Sequence, residues 1–174
     1  MFAKINSAAL NGLKAISVTL EVNAFLTKGG DGTESTFFMV GLPDNAVRES
    51  KQRVLSALAN SAFRLPRMNV TVNLAPADIR KEGSGFDLPL AVGLLKTTDI
   101  VKADRLDEVA FVGELGLDGT IRSVRGALPI AIEARQQGFK ALFVPKANER
   151  EAGVVNHLKV YGVKTLKEVV DALN

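Results

Sequence analysis

The chain has 174 residues, of which 47% are hydrophobic and 24% are charged, and its formal net charge is +3. This length and composition predict one compact soluble domain that buries roughly 70% of its unfolded surface. No run approaches the roughly 18 apolar residues of a membrane span, and the N-terminal MFAKINSAAL lacks the layout of a signal peptide. The chain has no cysteine, which excludes disulfides and thiolate metal sites. We therefore expect a cytoplasmic protein without membrane association.

The first third of the chain predicts strands. Apolar and polar residues alternate over residues 2–8 and 14–24, and Gly12 marks the turn between these two strands. A hairpin-like turn with three glycines is expected over residues 27–33, and a further strand over Phe37–Val40. This strand-rich first third predicts that the sheet is mixed.

A helix over residues 45–62 follows, because apolar side chains recur there at three- to four-residue steps. Asp44 precedes this helix and is its predicted N-cap. Residues 68–74 alternate again and predict a strand. Residues 81–85 (KEGSG) then form a charged, glycine-punctuated loop, which leads into an apolar helix that begins at Asp87. Such a strand–loop–helix presents backbone amides, or a nucleophile, at the helix N-terminus.

The second half alternates strands with helices. Strands are predicted at residues 109–112, 141–144 and 158–161, and helices at 127–137, 147–152 and 165–173. Between the first strand and the first helix, GELGLDGTIR predicts a hairpin that turns at Asp118-Gly119. We therefore expect an α/β fold, in which residues 1–174 form a single compact domain with a mixed β-sheet and flanking helices.

Three motifs carry a resemblance to a known family. They are LPDNAVRESKQRVLSALANS, VNLAPADIRKEGSGFDLPLAVGLL and GELGLDGTIRSVRGALP. Together they resemble the N-terminal domain of the ComM/YifB family, which are bacterial magnesium-chelatase-like AAA+ ATPases. The same domain is similar to the proteolytic domain of Lon protease and to the C-terminal domain of RadA.

The resemblance implies a Lon proteolytic-domain-like fold for this chain, followed by an AAA+ module in the full-length protein. ComM-type members are similar in role to branch-migration helicases that help to integrate incoming single-stranded DNA during natural transformation. For the full-length protein, the resemblance implies ATP and magnesium as cofactors and assembly into a hexamer through the AAA+ module. For this chain we expect no cofactor, because no stretch fits the phosphate-binding motif G-x-x-x-x-G-K-[ST].

The resemblance to Lon also implies positions for a serine–lysine peptidase pair, in which the lysine takes the proton of the serine hydroxyl. The serine position falls on Gly85, with Ser84 one residue away, and the lysine position falls on Leu128. Residues 126–137, which form the helix that would supply this base, contain no lysine. We therefore expect no catalytic residues and a degenerate scaffold in place of an enzyme. A residual Lon-like serine peptidase is the alternative.

We also expect no metal site. His157 is the only histidine, and a surface or capping role is its usual explanation. Asp104, Asp107 and Glu108 are expected to form a solvated face. Asp87 could bind a cation or act as an acid, but we expect it to cap the N-terminus of the helix that begins there.

Basic residues are concentrated in residues 45–81. This stretch has seven basic and two acidic side chains, a net charge of +5, whereas the rest of the chain has 15 basic and 17 acidic groups. Such an uneven distribution is typical of contact with a polyanion. The predicted DNA-contacting residues are Arg48, Lys51, Arg53, Arg64, Arg67, Arg80 and Lys81. The alternative is a solvated face, since Phe63 is the only aromatic residue in this stretch that could stack on a base.

These observations predict a non-catalytic accessory domain of a ComM-type ATPase, which contacts single-stranded or branched DNA and assists oligomer assembly. A purely structural oligomerisation domain that does not touch nucleic acid is the first alternative. The residual peptidase is the second.

Overall fold

The structure, a computed structural model, describes residues 1–28 and 35–174. Its strands are β1 (Phe2–Asn11), β2 (Lys14–Leu26), β3 (Phe37–Val40), β4 (Met68–Ala75), β5 (Val109–Phe111), β6 (Glu114–Leu115), β7 (Ile121–Arg122), β8 (Ala141–Pro145) and β9 (Lys159–Val163). Its helices are α1 (Asn45–Arg48), α2 (Ser50–Asn60), α3 (Asp87–Thr97), α4 (Ala127–Gln136), α5 (Glu149–Ala152) and α6 (Leu166–Leu173). Most of the glycine turn predicted over residues 27–33 lies outside the described residues.

Seven strands form one mixed sheet in the order β3-β4-β2-β1-β5-β8-β9, and β6 and β7 form a separate hairpin. β2 pairs antiparallel with both β1 and β4. The pairs β3–β4, β1–β5, β5–β8 and β8–β9 are parallel. Parallel neighbours need a crossover connection, whereas a short turn suffices for the antiparallel pair β1–β2. The predicted α/β fold with a mixed sheet is confirmed.

Alternate residues of the central strands face two hydrophobic cores. Phe111 of β5 and Phe143 of β8 belong to the larger core, which also contains buried residues of α2, α3 and α6. Their chain neighbours Ala110 and Leu142 belong to a smaller core with α4 and α5. Because successive strand residues point to opposite faces, helices cover both sides of this part of the sheet.

Helix α3 fixes the position of the glycine loop that precedes it. Ten of its eleven residues are buried, so it lies within the larger core. At Gly93 the helix approaches the sheet so closely that a Cβ atom would lie 2.7 Å from Cγ2 of Val22. The loop is therefore anchored to a helix whose packing leaves little room for movement.

The helix predicted over residues 45–62 is instead two helices, α1 and α2, which Glu49 separates. Asp44 caps α1 as predicted, since its Oδ1 accepts a hydrogen bond of 2.8 Å from the backbone N of Val47. The predicted hairpin is also present, with Glu114 paired to Arg122 and Gly119 at a φ of 88°.

Candidate functional site

The glycine loop borders a cleft of about 570 Å³. Residues 82–86 of the loop meet the end of β1 and the segment 123–125 around this cleft. The Oγ of Ser84 donates a hydrogen bond of 2.6 Å to Oε2 of Glu114, which lies on β6. The cleft therefore lies at the position that the resemblance to Lon assigns to the peptidase serine, and Ser84 there is bonded to a carboxylate.

The structure does not bring a serine and a lysine together in this cleft. None of the described residues that line it is a lysine or a histidine. Leu128 is 36% exposed on α4 and lies outside the lining, whereas Ile130 of the same helix contributes to it. At Gly85 a Cβ atom would lie 3.2 Å from Cγ2 of Val112. The described lining thus offers the Ser84 hydroxyl no amine that could take its proton.

Asp87 does not cap α3, and the capping prediction is wrong. The N-cap is Phe86, which makes no side-chain cap hydrogen bond, and Asp87 is fully buried in the first turn. Its carboxylate accepts hydrogen bonds from Nε of Arg53 at 2.7 Å, Oγ of Ser50 at 2.5 Å and the backbone N of Leu115 at 3.0 Å. These partners from α2 and β6 outweigh the local capping preference.

The Asp87 network is both charged and buried. Burial raises the pKa of the Asp87 carboxyl, and the hydrogen bonds from Arg53, Ser50 and Leu115 oppose that rise. The hydrogen bond to Asp87 in turn raises the pKa of the Arg53 guanidinium. All four hydrogen bonds at the carboxylate are donated to it, which favours its ionised form. The ion pair of Arg53 and Asp87, with the donors from Ser50 and Leu115, therefore links α2, α3 and β6.

Two of the seven predicted DNA-contacting residues lie inside the fold. The Arg53 guanidinium is held by Asp87, and only 19% of the Arg53 side chain is exposed. Lys81 is fully buried, and its ammonium donates to the carbonyl oxygens of Gly41 and Pro76. Burial lowers the pKa of Lys81. Both cations stabilise the junctions of neighbouring elements.

The other five predicted residues reach the surface to different extents. Exposed side chains are those of Arg48, Arg64, Arg67 and Arg80, and Lys51 is half-buried. Lys51 and Arg67 line one cleft of about 230 Å³ beside the edge strand β3, which we name the Lys51–Arg67 cleft. The Nζ of Lys51 lies 5.7 Å from the ring centroid of Phe37, a distance at which cation and ring attract each other. The structure thus brings two of the seven residues together.

Polar and apolar groups share the Lys51–Arg67 cleft. Ser35 and Thr36 contribute hydroxyl-bearing residues to its lining, and Leu55 and Pro66 contribute apolar surface. Two cations beside hydroxyl donors suit a phosphate group, and apolar walls suit a sugar or a base. The cleft therefore combines two cations with apolar walls.

No group of three histidine or acidic side chains within residues 1–28 and 35–174 could hold a metal ion. Glu108, from the predicted solvated acidic face, is bonded to Lys140 and Arg105. These two cations hold the pKa of Glu108 below its ordinary value. In the same part of the chain, no helix is long and apolar enough to cross a membrane.

Sequence reasoning missed Ser50 and Glu114 as members of these networks. Ser50 lies 37 residues from Asp87, and Glu114 lies 30 residues from Ser84, so no local pattern could pair them. One signal was available for Asp87, because a carboxylate that opens an otherwise apolar helix needs a buried partner. The partner itself could not be identified without the fold.

A family model described as subunit ChlI of Mg-chelatase matches residues 27–148. The chain is 44% identical to Competence protein ComM of Haemophilus influenzae over 172 residues, which are 99% of this chain and 32% of that protein. It is 43% identical to the Uncharacterized protein YifB of Escherichia coli over 152 residues, which are 87% of this chain and 29% of that protein. The chain therefore spans about a third of the length of these relatives.

Two further relatives are more distant. Lon protease 2 of Bacillus subtilis is 25% identical over 125 residues, which are 71% of this chain and 22% of that protein. DNA repair protein RadA of Listeria monocytogenes is 32% identical over 96 residues, 55% of this chain and 21% of that protein. These similarities confirm the resemblance that the three motifs carry, which is strong to ComM and YifB and weaker to Lon and RadA.

Proposed function

The chain belongs to the family of the Mg-chelatase subunit ChlI, and from this premise we propose that it is a non-catalytic domain that contacts DNA within a larger ComM-type ATPase. The names of two relatives, a competence protein and a DNA repair protein, support a role in DNA processing. For the larger protein we propose an AAA+ module that uses ATP and magnesium, forms a hexamer and drives branch migration during transformation or recombination. This chain would assist DNA binding and assembly.

The observation that carries the DNA contact is the Lys51–Arg67 cleft. Lys51 comes from α2 and Arg67 from the residue before β4, so the fold joins two separate parts of the basic stretch. Arg48 and Arg64 are exposed and each lies three residues before one of these two cations. For phosphates that contact Lys51 and Arg67, charge and not base identity would set the register.

The proposal that the domain is non-catalytic rests on the cleft at the glycine loop. Ser84 is hydrogen-bonded to Glu114. The described residues of the lining include neither a lysine nor a histidine, the side chains that commonly activate a serine. A casein-digestion assay tests this part of the proposal. Digestion that Ser84→Ala abolishes would contradict it.

We predict weak, sequence-independent binding of oligo(dT), with a dissociation constant in the micromolar range or above at physiological salt. Replacing Lys51 and Arg67 by alanine should weaken binding and reduce the slope of log K against log salt. Each phosphate contact on a single strand contributes about 0.7 to the magnitude of that slope, so the double variant should lose about 1.4. Fluorescence anisotropy over a series of salt concentrations measures both quantities.

Lys102→Ala/Arg135→Ala is the matched control, because it removes two exposed cations outside the basic stretch. Its net charge equals that of the test variant, and its salt slope should equal that of the wild type. Equal slopes for both double variants would contradict the proposed surface. A wild-type chain that does not bind oligo(dT) even at low salt would favour the purely structural, oligomerising role.

A further inference from the structure

One face of the sheet is open at the end opposite β9. Outward-facing residues of β3, β4 and the adjoining parts of β1 and β2 are exposed or half-buried, and none of them belongs to either core. Three of them are phenylalanines, since Phe2, Phe25 and Phe38 are 60%, 62% and 60% exposed. Several large aromatic rings exposed on one face mark a binding surface. We name this surface the open sheet face (Phe2, Asn23, Phe25, Thr71 and Phe38).

The pairing of the strands sets the arrangement of the three rings. Phe2 lies opposite Asn23, Asn23 opposite Thr71, and Thr71 opposite Phe38. These four residues form one row across four strands, and its terminal rings are about 14 Å apart at the usual strand spacing. Phe25 follows two residues after Asn23 on β2, about 7 Å along the strand from that row. The rings therefore surround a flat area that contains an amide and a hydroxyl group.

The open sheet face adjoins the Lys51–Arg67 cleft at strand β3. Phe37 faces inward beside Lys51, and the next residue, Phe38, faces outward because strand side chains alternate. On β4, the residue opposite Phe25 is two positions after Arg67. Lys51 therefore lies on the inner side of β3, and Phe38 lies on the outer side of the same strand. A nucleic acid that contacts both the cleft and the rings must therefore pass around the edge strand β3.

The aromatic rings and the cations together specify the ligand more closely than the rings or the cations do alone. Aromatic rings stack on bases whatever their sequence, and adjoining cations contact the phosphates of the same strand. Asn23 and Thr71 between the rings can hydrogen-bond with base edges. A second copy of this chain also has a positive net charge, of +3, so the cations favour a polyanion over a second copy.

We propose that the open sheet face stacks the bases of single-stranded DNA that passes around the edge strand β3, where its phosphates contact Lys51 and Arg67. The inference rests on the DNA contact proposed above and adds to it the surface that holds the bases. It assigns a binding role to three phenylalanines that lie outside the basic stretch. Phe2 begins β1, Phe25 lies on β2 and Phe38 lies on β3.

The first test is the variant Phe25→Ala/Phe38→Ala. Loss of stacking on one base weakens binding by about 5-fold to about 150-fold, so the double variant should bind oligo(dT) at least about fivefold more weakly. Its salt slope should stay that of the wild type, because no phosphate contact is lost. Leu117→Ala/Val154→Ala removes two apolar side chains that are 56% and 66% exposed elsewhere, and it should bind as the wild type does.

The second test separates bases from phosphates. The chain contains no tryptophan, so Phe38→Trp places a single indole on the open sheet face. Oligo(dT) should quench its fluorescence, whereas an abasic oligonucleotide of the same length should bind more weakly and leave the fluorescence unchanged. Sedimentation of the same samples reports whether the chain self-associates through this face.

The outcomes distinguish this inference from the proposed function. If the phenylalanine variant and the abasic oligonucleotide both bind as tightly as the wild type binds oligo(dT), stacking is overturned and the phosphate contact stands. If the wild type does not bind at low salt, both proposals fall. A dimer that the phenylalanine variant disrupts, with unchanged DNA affinity, would assign the face to a second copy and overturn the inference.

Discussion

Asp87 and Arg53 form an ion pair whose carboxylate is fully buried. An isolated ionised carboxylate in such a place is strongly unfavourable, so its stability depends on the donors around it. Arg53 supplies two of the four hydrogen bonds that the Asp87 oxygens accept. The remaining two come from Ser50 and from the backbone of Leu115. Arg53 therefore matters to the fold more than its position in a basic stretch suggests.

We predict that Arg53→Met lowers the free energy of unfolding by about 3–5 kcal/mol, because it leaves the Asp87 charge buried without its partner. The double variant Arg53→Met/Asp87→Leu should recover most of this loss, since apolar replacement of both members of a buried pair is often nearly neutral. Urea denaturation of the two single variants and the double variant measures the coupling. Arg48→Met, at an exposed position, is the control. Additive losses in the double variant would contradict the coupling.

Arg80 and Lys81 show where prediction from sequence ends at the scale of a residue. They are consecutive cations in a loop, and the sequence assigns both to the same DNA surface. In the structure, Arg80 is exposed beside Glu82, whereas the Lys81 ammonium is buried among carbonyl oxygens. Charge density along the chain predicts a basic region, but the direction of each side chain depends on tertiary contacts that have no local signal.

At the scale of elements, the β6–β7 hairpin joins two distant parts of the chain. The backbone N of Leu166 donates to the carbonyl oxygen of Gly119, and that of Ile121 donates to the carbonyl oxygen of Lys164. Gly119 also lies against the end of α2, where a Cβ atom would be 2.3 Å from Oγ of Ser61. The turn is therefore restricted both by its positive φ and by the space around it.

We predict that Gly119→Ala is more destabilising than Gly138→Ala. Both glycines have a left-handed φ, of 88° and 84°, but no atom lies within 4 Å of a Cβ at Gly138. Gly138→Ala should therefore lower the free energy of unfolding only by the backbone strain of about 1–2 kcal/mol. Gly119→Ala should lower it further, because the new Cβ would also clash with Oγ of Ser61. Ser61→Ala should partly rescue Gly119→Ala. Equal melting temperatures for the two single variants would contradict this explanation.

The strands and helices themselves were largely predictable, because each one buries a face with the periodicity of its type. The break at Glu49 was not. Arg53 donates a hydrogen bond of 2.8 Å to the carbonyl oxygen of Ala46, the group that would accept from residue 50 in a continuous helix. A side chain thus competes with the helix backbone, and hydrophobic spacing carries no information about such competition.

At the scale of the whole molecule, one sheet holds two cores together. β5 and β8 contribute alternate residues to both cores. Unfolding of either core would therefore disrupt strands that the other core also needs. We predict that Ile130→Ala, at a buried position of the smaller core, lowers stability by about 2–5 kcal/mol in a single transition. Circular dichroism and calorimetry should give the same, lower melting temperature. Ile132→Ala on the half-exposed side of α4 is the control, and two separate transitions would contradict the prediction.

The central position of β1 has a consequence for synthesis of the chain. One edge of β1 pairs with β2 soon after both leave the ribosome, but the other pairs with β5, and the hydrogen bond from Ser7 Oγ to the carbonyl oxygen of Phe111 spans 104 residues. Until β5 emerges, this edge has unpaired backbone groups that another nascent strand can join. The small and polar side chains of Asn6, Ser7 and Ala8 make that edge a poor template for aggregation. Until β5 is translated, the side chains of β1 itself therefore limit pairing of this edge with other chains.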